Sequence, residues 1–282
     1  DEEGFVSEQT KGAPLAIKGV AQIVAVASGK GGVGKSTIAT NLAVALKAAG
    51  RRVGLLDADI YGPSQGTLFG LASGTKPEVV DQLLVPILAH GVYCMSMSFL
   101  ASSKTPAIWR GPMASGALQQ MLMQTDWPDL DVLVIDMPPG TGDIQLTLAQ
   151  RVPVDGALIV TTPQDIALLD ARKGIEMFRK VRVPVYGVVE NMSTFVCPHC
   201  GENSAIFGEG GGDRIAEEFS VPVLARLPLS LETRQTSDAG RPIANEGDSV
   251  AGKIFKTLAD EVLQLLANQT APTAPMISIV DD

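Results

Sequence analysis

Gly29-Lys30-Gly31-Gly32-Val33-Gly34-Lys35-Ser36 matches G-x-x-x-x-G-K-[ST] in full, and this octapeptide restricts the possible folds more tightly than any other stretch. The pattern requires a strand before it and a helix after it. An apolar run ends at Ala27, and a helical stretch opens just beyond Ser36, so both requirements are met. Glycines let successive backbone N–H groups curl around phosphate oxygens without a Cβ in the way, and a helix N-terminus adds positive potential. In such a loop Lys35 reaches toward the β- and γ-phosphates and the Ser36 hydroxyl toward Mg²⁺. Residues Gly29 to Thr37 are therefore nucleotide-binding candidates. An ordinary Gly-rich turn is the plain alternative, and the strand–loop–helix setting speaks against it.

The remaining chain repeats the strand–helix alternation. Expected strands are Gln22–Ala27, Val53–Leu56, Val92–Met97, Val132–Ile135, Ala157–Thr161 and Val185–Val189, with a last one near Val223–Leu227. Most are continuous apolar runs, as in a parallel sheet covered on both faces. Amphipathic stretches at Thr37–Ala49, Ala114–Gln124, Ile144–Gln150, Ile166–Val181 and Val250–Ala267 supply the helices. The expectation is one doubly wound α/β domain over residues 21–267, flanked by an N-terminal extension (1–20) and a mobile Ala/Pro/Thr-rich tail (268–282). Asp1 to Ala16 lack the apolar segment of a secretory signal. Two stretches break the rhythm: Gly62–Leu88 reads as a long excursion, and Phe195–Gly212 as too irregular for a helix.

Charge and cysteine content then exclude whole classes. With 22 Lys+Arg against 31 Asp+Glu the net charge is −9, which argues against a partner whose phosphates must be neutralised, hence no nucleic acid. No 18-residue apolar run exists, so no stable membrane insertion is expected. Three cysteines cannot form a disulfide framework and suit a reducing compartment.

Carboxylates mark the ends of two strands. Asp57 and Asp59 follow Val53–Leu56, where strand carboxyl ends face a phosphate crevice; both could instead only cap a turn. Asp136 closes Val132–Ile135 and runs into Met137-Pro138-Pro139-Gly140-Thr141-Gly142-Asp143, a Walker B pattern followed by a turn able to sense a γ-phosphate. Asp136 is accordingly a Mg²⁺ candidate, in part through water. The third element is Cys197-Pro198-His199-Cys200. A C-x-x-C turn offers two thiolates to a metal centre, yet a tetrahedral four-thiolate site needs four. The remaining thiol, Cys94, lies in an apolar strand and reads as core. Two chains about a two-fold would supply Cys197, Cys200 and their mates. Iron–sulfur, zinc and a redox disulfide all stay open on the residues alone.

Lys30, a second lysine inside the loop, makes the motif the deviant form, and here the sequence resembles the MinD/ParA/ArsA/NifH-like ATPases. That resemblance implies a Lys30 that reaches a partner's nucleotide, an Asp57 near the Mg²⁺ hydration shell, and an Asp59 that positions the attacking water. It implies adenine contacts from Asn191, which could otherwise be a turn-stabilising strand end. Over about 240 residues the chain further resembles the Mrp/ApbC/Nbp-type iron–sulfur carrier ATPases. The match is carried by residues 25–37, 57–64, Trp109-Arg110-Gly111-Pro112, 136–143, Thr162-Pro163-Gln164-Asp165 and 190–200. That resemblance implies a slow Mg²⁺-dependent ATPase that binds ATP/ADP, with Lys30, Lys35 and Asp59 in the reaction. It also implies a homodimer bridging a [4Fe–4S] cluster through Cys197 and Cys200, with apo iron–sulfur proteins as recipients. A ParA/MinD-like positioning ATPase and a zinc-stapled ATPase are the alternatives. The expected compartment is the bacterial cytoplasm, or alternatively the mitochondrial matrix.

Overall fold

Eight strands form the central sheet of the computed structural model, which describes residues 16–100 and 111–269. In chain order they are β1 (Val20–Ala27), β2 (Val53–Asp57), β3 (Ile87–Ala89), β4 (Val92–Ser96), β5 (Leu130–Asp136), β6 (Gly156–Thr161), β7 (Val185–Glu190) and β8 (Val223–Arg226). Across the sheet they run β8-β7-β6-β1-β5-β2-β4-β3, every pair parallel except β3–β4. The helices that cover it are α1 (Lys35–Ala48), α2 (Gly111–Gln124), α3 (Asp143–Arg151), α4 (Asp165–Lys180), α5 (Gly211–Phe219), α6 (Leu231–Asp238) and α7 (Val250–Gln269).

Alternate residues of each strand serve opposite faces, which is why the strand sequences are apolar throughout. In β1, Ile23, Ala25 and Ala27 join the cluster under α2, α3, α4 and α5, including Leu118, Leu148, Phe178 and Ile215. Val24 and Val26 join the other cluster, under α1 and α7, with Leu42, Phe255 and Val262. The doubly wound, mostly parallel α/β architecture is thus the one the sequence implies. The parallel register also sets the site. Asp57 pairs with Asp136 across β2 and β5, Asp136 with Val26 of β1, and Ser96 of β4 with Asp57, so four strand ends align on one edge.

Four details differ from the sequence reading. The excursion 62–88 contains a helical turn at Gln65–Leu68, a hairpin of Val79–Val80 with Leu83–Leu84, and strand β3 on the sheet edge. The strand expected over Val92–Met97 ends at Ser96, because Met97–Leu100 coils into a turn of helix. The glycines at 210–212 open α5 rather than continue an irregular loop, and α6 carried too little apolar periodicity to be foreseen. At the boundaries, Ile17 is already buried in the core, and α7 runs to Gln269. Trp109 and Arg110, the N-terminal residues 1–15 and the tail from 270 lie outside the described residues.

Phe178 of α4 is fully buried in the first cluster. Phe178→Ala is expected to lower the unfolding free energy by ~3–5 kcal/mol, read from urea midpoints at unchanged slope. A loss no larger than a surface substitution gives, about 0.5 kcal/mol, contradicts this packing.

Candidate functional site

The phosphate loop connects β1 to α1 and surrounds a cavity of about 260 Å³ whose lining includes Lys30, Gly32, Lys35, Ser36, Thr37 and Asp59. Gly34 precedes the first turn of α1 at φ +88°, and a Cβ there would fall 2.2 Å from Asn191 Nδ2, so two constraints exclude any side chain. Ser28 shapes the loop's entry: its hydroxyl donates to Lys30 O at 2.8 Å, and its carbonyl accepts Gly140 N–H at 3.0 Å. The Walker B turn is thereby tied to the loop.

Lys35 is buried, its ammonium paired with Asp136 and 3.5 Å from Ser36 Oγ. Asp136 and Asp57 are fully buried neighbours. Asp57 Oδ2 accepts from the N–H groups of Ser64 and Gln65, each at 3.1 Å, and from Ser96 Oγ at 3.0 Å; Asp59 N–H donates to Oδ1 at 3.1 Å. Burial, reinforced by the Asp136 charge, pushes Asp57 from the ordinary 3.8 up to about 7, against the opposing hydrogen bonds and Lys35. Asp59 sits at the cavity wall, where its Oδ1 accepts Gly62 N–H at 3.0 Å.

Gln65 belongs to this site and was not anticipated. It is fully buried, and its Nε2 donates to Asp136 Oδ2 at 2.8 Å and to Ser36 O at 3.1 Å, while its Oε1 accepts from Thr40 Oγ1 at 2.6 Å. One amide therefore links the Asp57 segment, α1 and Asp136. No motif marks it; the available signal was only its place one residue after Gly62-Pro63-Ser64.

A second cavity of about 530 Å³ shares Gly34, Thr37 and Leu68 with the first and is walled by Asn191, Pro228 and Phe255 among others. Size, apolar lining and continuity with the phosphate loop suit a nucleoside. Asn191 is there, but its Nδ2 donates to Val33 O at 2.9 Å, so this amide also braces the phosphate loop.

The cysteine pair occupies the turn between short strands Phe195–Val196 and Asn203–Ser204. Cys197 N–H donates to Glu202 O and Gly201 N–H to Cys197 O, both at 2.9 Å. Cys200 is exposed and Cys197 half-buried. Backbone N–H groups of Cys200 and His199, with the Cys200 side chain, lower the Cys197 thiol below its usual value and so favour the thiolate. Cys94, fully buried in β4, is core as expected. Among the described residues no group of three or more His, Cys, Asp or Glu is placed to hold a metal ion, so none of them completes the pair. Lys35, Ser36, Asp57, Asp59 and Asp136 are thus brought together, Lys30 lines the same cavity, Asn191 adjoins it, and Cys197/Cys200 stand apart on their own hairpin.

A family model described as ParA, NUBPL iron-transfer P-loop NTPase, matches residues 19–263. The chain belongs to this family. An iron-sulfur cluster carrier protein of Pseudomonas fragi is 63% identical over 242 residues, covering 85% of this chain and 84% of the relative. The iron-sulfur cluster transfer protein NUBPL of Mus musculus is 49% identical over 254 residues, covering 89% and 79%. Among solved structures, a nucleotide-binding protein from Archaeoglobus fulgidus in complex with ADP is similar at TM-score 0.70 and 40% identity, over 79% of this chain and 88% of that one. MinD from Pyrococcus horikoshii, at TM-score 0.64 and 21% identity over 89% and 99%, shares the fold. The chain is thus a member of a P-loop NTPase family, and its phosphate loop, acidic strand ends and the second cavity adjoin one another. No helix among the described residues is long and apolar enough to cross a membrane.

Asp57 supplies a pH test. Its carboxyl is protonated more tightly in the folded chain than in the unfolded one, where it titrates near 3.8. Between about pH 4 and 7 the native state therefore holds the extra proton, and nucleotide-free stability falls as pH rises through that window. Asp57→Asn is expected to flatten this decline in chemical-denaturation profiles taken at several pH values. An unchanged slope contradicts the placement of Asp57.

Proposed function

We propose that this protein carries an iron–sulfur cluster on a homodimer and delivers it to apo-proteins, using ATP binding and slow hydrolysis to set the state of the cysteine hairpin. The observation that carries the reading is the half-site itself. Two thiols, one favoured as thiolate, sit on an exposed turn of a chain that offers no further metal-ligating partner among its described residues. A second copy completes a four-thiolate set about a two-fold axis. The cluster, [4Fe–4S], is the cargo of this exchange, and the relatives named as cluster carriers and transfer proteins support that reading over a zinc staple.

At the nucleotide end, the loop N–H groups and the α1 N-terminus hold the phosphates. Lys35, released from Asp136, turns to the β/γ-phosphate oxygens, and Asn191 reads the base. Lys30 reaches toward the partner's phosphates and stabilises charge that develops in the transferring group. Asp59 orients the attacking water. The donor set fits Mg²⁺: Ser36, Asp57 and Asp136 would offer hard oxygens, two of them from buried carboxylates that stand side by side. The metal would neutralise phosphate charge there. A reducing compartment, the bacterial cytoplasm or alternatively the mitochondrial matrix, suits three cysteines that form no disulfide framework, and the acidic charge disfavours nucleic acid as a partner.

Anaerobic reconstitution with iron and sulfide tests the cargo. Wild-type protein is expected to take up both and develop charge-transfer absorption, while Cys197→Ala/Cys200→Ala retains neither and still binds ADP. Equal iron and sulfide in the double variant overturns the reading, as does zinc held in place of iron after anaerobic purification.

A further inference from the structure

The chain leaves the sheet after Glu190, runs out through the cysteine hairpin and returns at α5. Both ends of this excursion are fixed by two consecutive residues. Asn191 fixes the outgoing end: its N–H donates to Thr161 O at 2.8 Å and its side chain to Val33 O of the phosphate loop at 2.9 Å. Met192 then takes φ +55°, which turns the chain outward. Ser193 N–H donates to Leu227 O at 2.9 Å and Leu229 N–H to Thr194 O at 2.7 Å, leading directly into Phe195.

The returning end is fixed by Glu190. This side chain is 3% exposed, and its Oε2 accepts the N–H of Gly212 in the first turn of α5. Its Oε1 lies 3.8 Å from Arg226 Nε. The capping residue of α5, Gly210, has no side chain to accept a helix N–H, so a carboxylate from β7 takes that role and meets the positive end of the helix. The three successive glycines fit this contact. Gly210 adopts φ +67°; a Cβ on Gly211 would fall 2.7 Å from Pro163 Cα; a Cβ on Gly212 would fall 3.0 Å from Glu190 Oε2.

We infer that Glu190 is a positioning residue: it clasps the cysteine excursion shut against α5 and, through its neighbour Asn191, makes the order of that excursion depend on what the phosphate loop holds. A displacement of Val33 on phosphate binding acts on Asn191, and the adjacent Glu190 passes it to Gly212. The inference rests on the reading that Cys197 and Cys200 are the cargo site only for its purpose, since the clasp itself needs no cluster.

Hydrogen–deuterium exchange of the 282-residue, cluster-free chain, with and without ADP, tests it. In wild type, ADP is expected to slow exchange in peptides covering residues 193–209. Glu190→Ala is expected to speed exchange there about tenfold, the ratio for one lost charge-assisted hydrogen bond, and to abolish the ADP response. ADP affinity should stay within about twofold, as for a residue outside the binding contacts. Glu190→Gln keeps an acceptor for Gly212 N–H and should restore the response; Gly212→Ala, whose Cβ would crowd the carboxylate at 3.0 Å, should weaken the response in the same direction as Glu190→Ala. A wild-type-like ADP response in Glu190→Ala, a collapse of its ADP affinity, or no ADP effect in wild type overturns the inference. Amide exchange is independent of metal, so failure here leaves the cargo reading standing, and failed iron loading leaves the clasp standing.

Discussion

Two buried carboxylates, Asp57 and Asp136, stand side by side at the carboxyl ends of β2 and β5, and much of the surrounding structure serves to keep them there. Adjacent buried acids repel and resist desolvation, so such a pair persists only if it is heavily hydrogen-bonded or neutralised. Here the compensation comes from Lys35, the Gln65 amide, Ser96 and three backbone N–H groups drawn from the 59–65 segment. Because these donors come from α1, β4 and the post-β2 turn, the acidic pair draws the elements around the phosphate loop into one arrangement.

Asn191 gives that arrangement its reach. The strand order places β7 two strands from β1, yet its end returns to the phosphate loop through one side-chain amide to Val33. The next residues carry the chain into the cysteine hairpin. The hairpin is therefore joined to the nucleotide end by a covalent run of a few residues rather than by the acidic segments alone, and Glu190 secures the other side of the same excursion. The proposed coupling of nucleotide to the thiols would run along this connection.

The sheet was legible because a parallel strand covered on both faces needs an unbroken apolar run, and β1, β2, β5, β6 and β7 all have one. The phosphate loop was legible because its backbone must approach phosphate closely, and only glycines at fixed spacing allow that. Strand β3 was hidden by its length of three residues and its single pairing to β4. Gln65 was hidden because its role depends on Asp136, 71 residues away in sequence, and no local pattern records such a contact. The glycines at 210–212 misled for the same reason: alone they suggest disorder of pattern, while their tolerance comes from Pro163 and Glu190 brought in by the fold. The cysteine pair was plain in sequence, but four thiolates need a partner that one chain cannot display.

That shortfall makes the assembly state the central claim. Native mass spectrometry of anaerobically reconstituted protein measures it directly. The expected species is two chains carrying a single [4Fe–4S] cluster, which falls apart to cluster-free monomers when the iron is removed. A monomer that retains its full complement of metal, or a loaded dimer with one independent centre per chain, contradicts the account.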